Sequence, residues 1–140
     1  MESTNKPPLS FWIIACLAMV WNFIEYYISS YEMKVMEENV TKAELQDIES
    51  VSTFFITVFL VGLFAELLGS FALLMRKKIA VVLYATASFA MVIAEVYWMF
   101  HINFSTSSAF LSVTLPFFVM LIAVLLFLYA RYAKDKGWIS

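Results

Sequence analysis

Four stretches of this chain are each twenty or more residues long, overwhelmingly apolar and free of Lys and Arg: about Leu9 to Ile28, Val51 to Met75, Ile79 to Ile102 and Ser108 to Ala130. A helix rises ~1.5 Å per residue, so about 20 apolar residues cross a ~30 Å hydrocarbon core. In lipid every backbone N–H and C=O must be satisfied within the protein, and a helix does this segment by segment. The pattern therefore predicts an all-α integral membrane four-helix bundle, one domain over residues 1–140. Lys6 ahead of the first stretch resembles the start of a secretory signal. The run is too long for an h-region and continues through Trp21, Asn22, Tyr26 and Tyr27 with no A-x-A-like cleavage site, so it is expected to stay as an anchor.

Composition agrees, with 63% hydrophobic and 14% charged residues against roughly 45–50% and ~25% in soluble domains. The net charge of −2 gives no reason to expect nucleic acid as a partner. Lys6, Arg76, Lys77, Lys78, Arg131, Lys134 and Lys136 fall on one side of the spans, and only Lys34 and Lys42 on the other. By the positive-inside rule both termini and the turn between spans two and three are expected in the cytoplasm, in the cell (inner) membrane. Aromatic belts fit, with Tyr26, Tyr27, Tyr31, Tyr97 and Trp98 at outer edges and Trp12, Tyr84, Tyr129, Tyr132 and Trp138 at inner ones.

The outer segment, residues 30–50, is acidic and is expected to be a loop with a short helix opened by a Thr41-Lys-Ala-Glu44 capping box. It reads as a solvated acidic face or as a docking site for a basic partner or cation. Asn39-Val-Thr41 and Asn103-Phe-Ser105 match the glycosylation sequon and fall on the same side. Ser105 to Ser108 offer caps for the fourth span, and Pro116 is expected to kink it.

Chemistry by nucleophile, metal or phosphate loop has no foothold. Cys16 and His101 are single, so a thiol redox pair, a zinc site and a bis-histidine haem lack ligands. Neither G-x-S-x-G, H-E-x-x-H nor a P-loop occurs, so no enzyme and no cofactor is expected.

Three acids inside spans stand out: Glu25, Glu66 and Glu95. An ionisable residue at that depth is a candidate functional group by default, because burial in lipid is costly. Residues three and four apart share a helix face, which groups Ala15, Ala18, Asn22, Glu25 and Ser29 in the first span. The second groups Gly62, Glu66, Gly69 and Ser70, and the third Ala80, Ala87, Ser88, Ala94 and Glu95. A similar stripe in the fourth holds Ala109, Ser112, Pro116 and Ala123. Small residues mark the faces along which membrane helices approach, so the carboxyls are expected to point into the bundle. From the rise per residue, Glu25 and Glu95 both stand about 24 Å above the inner boundary, and Glu66 near the height of Ser88, about 13 Å. With no cation in the spans they are expected to be protonated in a dry interior, or to face a cation or a water-filled cavity. The candidate site is a polar path of Glu25, Asn22 and Glu95 leading down to Ser88 and Glu66. The alternative is that Glu25 and Glu95 are hydrated near the outer surface and Glu66 makes one interhelical hydrogen bond.

Ser10-Phe11-Trp12-Ile13-Ile14, Trp21-Asn22, the run from Thr41, Leu73-Leu74-Met75-Arg76-Lys77-Lys78 and Lys136-Gly137-Trp138-Ile139 together resemble a family of small, uncharacterised bacterial four-helix membrane proteins often labelled "sugar transporter". The resemblance covers almost the whole chain and rests on boundary and packing residues. Glu25 and Glu66 stand where that family usually has small residues, and Val51-Ser52 where a Pro-Trp pair is common. Two functions are expected. One is a small-solute or proton/cation-coupled transporter, acting in the lipid bilayer as a homo-oligomer because four helices enclose only a narrow seam. The other is an accessory or assembly subunit of a larger membrane-protein partner.

Overall fold

The computed structural model describes the backbone of residues 5–39, 42–101 and 114–140, and the side chains of residues 5–28, 53–98, 100, 114 and 117–140. Among the described residues there are four helices: α1 (Leu9–Asn39), α2 (Lys42–Leu74), α3 (Ile79–His101) and α4 (Leu115–Asp135). Each contains a segment long and apolar enough to cross a membrane, over Leu9–Ile28, Thr53–Leu74, Ile79–Trp98 and Phe117–Asp135. The described chain is thus all-helical, with four helices that suit a multi-pass membrane protein by length and composition. Consecutive helices pack side by side, and α2 against α3 is the most extensive contact.

Between the first two spans the chain departs from the expected loop with a short helix. α1 runs on to Asn39, and α2, which opens at Lys42 where the capping box puts a helix start, continues without a break into the second span. No Gly or Pro occurs between Pro8 and Gly62, and the segment is rich in Glu, Met, Lys, Ala and Leu, so nothing in it stops a helix. At ~1.5 Å per residue the two helices are about 46 and 50 Å long, well beyond a ~30 Å hydrocarbon core. The side chains of the acidic segment, the Asn103 sequon, the Ser105–Ser108 caps, Ala109 and Ser112 lie outside the described residues. Pro116 is the second residue of α4 as described, after a Thr114 that is itself in the right-handed helical region; the chain before Thr114, and with it the expected kink, lies outside the described residues.

The two ends of the described chain meet the α2–α3 turn. α2 closes with the amide of Lys77 bonded to Ala72 O at 2.8 Å and that of Arg76 to Leu73 O at 2.9 Å, a left-handed helix cap with Arg76 at φ 59°. α4 closes the same way through Gly137 at φ 73°, with the amide of Trp138 on Ala133 O at 3.0 Å. A non-glycine residue in this region costs roughly 1–2 kcal/mol, and the Arg76 side chain supplies the return. Its Nε donates to Trp138 O at 2.8 Å and its Nη2 to Asn5 O at 3.2 Å. The amide of Ser140 donates to Arg76 O at 2.9 Å, and that of Lys78 to Ser140 O at 3.1 Å. Ile139 is buried, and the Trp138 ring meets Phe11 and Tyr132 edge-on at 6.0 and 5.4 Å. We refer to this as the turn end of the bundle and to the opposite as the far end.

Above the clasp all four helices meet in one apolar cluster of Phe11, Ala15, Leu73, Ala80, Tyr84, Leu126 and Ala130 with Ile139. A second cluster of Leu63, Met91, Val119 and Ala123, flanked by Trp21 and Phe59, lies farther along. Large apolar side chains such as Leu17, Phe23, Phe64, Phe71, Val82, Phe89 and Leu125 face outward. For a water-soluble protein that distribution would be inside out; against lipid tails it costs nothing.

Candidate functional site

The buried polar residues lie on the small-residue stripes. Asn22 and Glu25 of α1 are 3% and 2% exposed, Glu66 and Ser70 of α2 are both 0%, and Ser88 and Glu95 of α3 are 9% and 6%. All three glutamates therefore point into the bundle. Neither Glu25 nor Glu95 sits at the surface, as hydration near the outer boundary would require.

One hydroxyl organises the centre. Asn22 Nδ2 donates to Ser70 Oγ at 2.6 Å, and Ser70 Oγ donates to the Glu66 carbonyl at 3.1 Å. The Tyr84 hydroxyl lies 2.8 Å from Ser70 Oγ. Either oxygen of that pair can donate. Ser70 thus joins α1, α2 and α3 through one oxygen. Tyr84 reaches it because α2 has glycine one residue earlier: a Cβ on Gly69 would stand 3.1 Å from the Tyr84 ring. Gly62, two turns away on the same helix, leaves matching room for Met91 and Ala90.

The Asn22 to Ser70 bond also fixes the register of α1 against α2. The helices run in opposite directions, so Glu25, one turn above Asn22, comes level with Glu66, one turn above Ser70. This revises the expected height of Glu25 relative to Glu66, which stood well below it; counting residues from the helix starts ignores the offset between helices. Neither carboxyl oxygen of Glu66 has a hydrogen-bond partner among the described residues, so the expected interhelical bond is not made. Asn22 Oδ1 is likewise unbonded. Ser88, expected at the height of Glu66 as part of the path, instead donates to Ala123 O of α4 at 2.8 Å.

Tyr84 was expected in the inner aromatic belt and is instead fully buried. Its periodicity carried the signal: Tyr84 lies four residues after Ala80, three before Ala87 and four before Ser88, on the inward stripe of α3. The hub role of Ser70, by contrast, has no sequence signature beyond membership of the stripe.

Among the described residues no three His, Cys, Asp or Glu side chains come together as a metal-ligand set; the carboxyls are strung along the seam. Cys16 is exposed on the opposite face of α1, in a shallow apolar depression with Trp12, Ile13, Leu17 and Val20. No Lys or Arg occurs within the first three spans. What the arrangement offers chemically is a buried polar seam in which the Glu66 carboxyl has no hydrogen-bond partner among the described residues. Comparison with known proteins finds no matching family model, no matching curated protein and no matching solved structure.

Proposed function

We propose that this is a multi-pass protein of the cell (inner) membrane, with N- and C-termini cytoplasmic, that carries protons or a small cation along its glutamate seam and couples that movement to a small solute. The observation that carries the reading is the Glu66 carboxyl, wholly enclosed at the level of Glu25 with neither oxygen hydrogen-bonded. Holding an unbonded carboxyl there costs stability. Among the described residues no side chain bonds the Glu66 carboxyl, so a proton or cation from solution balances its charge, and taking up and releasing such an ion is the elementary step of coupled transport. The carboxyls do not form a compact cage, which favours the proton over a multiply ligated metal. The orientation rests on Lys6, Arg76, Lys77, Lys78, Arg131, Lys134 and Lys136, all carried by segments of the turn end. A narrow seam in one bundle argues for a homo-oligomer when a larger solute is carried.

The test is proton flux into liposomes under an imposed voltage, read with an entrapped pH dye, for the wild-type chain and Glu66→Gln. The wild type conducts and Glu66→Gln does not. Equal flux in the two removes Glu66 from the mechanism. Absence of flux in both, together with a stoichiometric partner on purification from native membranes, would assign the chain to the accessory-subunit class instead.

A further inference from the structure

The turn end gathers cations around one residue. The Asn5 side chain donates to Lys136 O at 3.1 Å, and the Asn5 carbonyl accepts from Arg76 Nη2 at 3.2 Å. Lys6 is the next residue along the chain. Three basic residues, from the N-terminal segment, the α2–α3 turn and the end of α4, therefore meet at Asn5. Lys6 and Lys136 are exposed, and the Lys136 ammonium stands 5.5 Å from the centre of the Tyr132 ring. Over residues 5–12, 72–84 and 126–140, which make up this end, Asp135 is the one acidic side chain. The cluster thus carries positive charge that the described residues do not balance.

An apolar depression begins beside it. Trp12, Ile13, Cys16, Leu17 and Val20 line the outward side of α1, from its first turn over a rise of about 12 Å. Aromatic rings join its lip to the cations: Trp12 meets Phe11 edge-on at 5.3 Å, Phe11 meets Trp138 at 6.0 Å, and Trp138 meets Tyr132 at 5.4 Å. Trp and Tyr gathered at the end of a span mark the headgroup zone of a bilayer, so the cations belong among phosphates and the depression among acyl chains. The depression is shallow and open along its side. A soluble small molecule needs most of its surface enclosed, whereas a lipid already in the bilayer needs only a seat for one chain and a partner for its head. An anionic head gains from each cation; a zwitterionic head gains less, because its own ammonium meets the same positive charge.

We propose that Lys6, Arg76 and Lys136, with the adjoining depression on α1, form a binding site for an anionic phospholipid, its phosphate at the cations and one acyl chain along Trp12, Cys16 and Val20. The inference takes the bilayer as the medium of the four spans and makes no use of ion movement along the glutamate seam.

The experiment titrates the purified chain in detergent with phosphatidylglycerol and with phosphatidylcholine of the same acyl chains, and reads one-to-one adducts by native mass spectrometry. Phosphatidylglycerol binds the tighter. Lys6→Gln and Lys136→Gln together lower its affinity roughly 25-fold, at about fivefold per cation, and leave phosphatidylcholine unchanged. Arg131→Gln with Lys134→Gln removes equal charge elsewhere: three residues apart, they share a face of α4 different from that of Tyr132 and Lys136. That pair lowers the affinity by less than about twofold, since exposed charges beyond a Debye length are screened. Cys16 is the only cysteine in the chain, so its alkylation by N-ethylmaleimide reports on the depression without any substitution. Bound phosphatidylglycerol slows that reaction, and glycerol 3-phosphate, the head without chains, neither slows it nor displaces the lipid. Equal affinity for the two lipids, equal losses in the two double variants, or undiminished alkylation with phosphatidylglycerol bound would overturn the site. Displacement by glycerol 3-phosphate would make it a phosphate site and overturn the lipid. Absence of proton flux would sink the transport reading and leave this one standing.

Discussion

Replacing Ser70 by alanine removes a single oxygen and strands two buried polar groups. Asn22 Nδ2, at 2.6 Å, and the Tyr84 hydroxyl, at 2.8 Å, both lose their partner on the seam. The third bond, to the Glu66 carbonyl, is a side chain bonding back onto its own helix, and losing it leaves that carbonyl its ordinary helical acceptor role. Interhelical hydrogen bonds in membrane proteins average about 0.6 kcal/mol and reach ~1.7. With no water at this depth to take over either group, the two losses add to roughly 1–3 kcal/mol. Tyr84→Phe breaks only one of the bonds and leaves Ser70 joined to Asn22, so it costs about 0.6–1.7 kcal/mol. The ratio matters more than either number. Reversible unfolding in bicelles, followed by steric trapping or by helical circular dichroism against denaturing detergent, measures both variants and the double variant. In the double variant the two effects are less than additive, because Tyr84 has nothing left to lose once Ser70 is gone. Fully additive costs, or a Ser70→Ala cost no larger than that of Tyr84→Phe, would refute the idea that one hydroxyl ties the three helices.

Further outcomes follow from the same geometry. Gly69→Ala sets a methyl 3.1 Å from the ring of Tyr84, which is buried and tethered, so overpacking of about 1–3 kcal/mol outweighs the roughly 1 kcal/mol gain in helix propensity. Gly62→Ala meets the flexible end of Met91 as its nearest contact at 3.2 Å and costs less; the same unfolding assay ranks the two, and the reverse order would contradict the rigid seat assigned to Tyr84. Glu66→Leu is expected to stabilise the bundle by about 1–2 kcal/mol, since it removes a buried polar group that has no bonded partner, while abolishing proton flux. That combination of gain and loss marks a residue kept for function, and a destabilised Glu66→Leu would show that the carboxyl supports the fold. Arg76→Ala gives up the bonds to Trp138 O and Asn5 O and so frees the C-terminal segment. Hydrogen exchange at the amides of Trp138 and Ser140 quickens by about tenfold if the clasp is worth ~1.4 kcal/mol, and unchanged protection would mean that Ile139 burial alone holds it.

How much of this was legible beforehand depends on the range of each interaction. Spans of the right length, the inward turn of Glu25, Glu66 and Glu95, and the small residues beside them follow from hydropathy and from the 3.6-residue period, both local properties. Tyr84 sat on the same period and was misplaced because aromatic residues near a span end fit an interfacial belt equally well. The expected loop over 30–50 failed for a local reason too, since a charged segment without Gly or Pro is as good a helix as a connector.

By itself, then, the sequence determined the number of long apolar helices and the faces on which Asn22, Glu25, Glu66, Ser70 and Glu95 turn inward, because hydropathy and helical period act one segment at a time. Only the tertiary structure decided that Asn22 meets Ser70, that Glu25 thereby stands level with Glu66, that Tyr84 joins the same Ser70 hydroxyl, and that Arg76 gathers both ends of the described chain at the α2–α3 turn. Each of these depends on the axial offset and rotation of one helix against another. A periodic stripe leaves both quantities open, and close packing around two glycines and a single buried hydroxyl sets them.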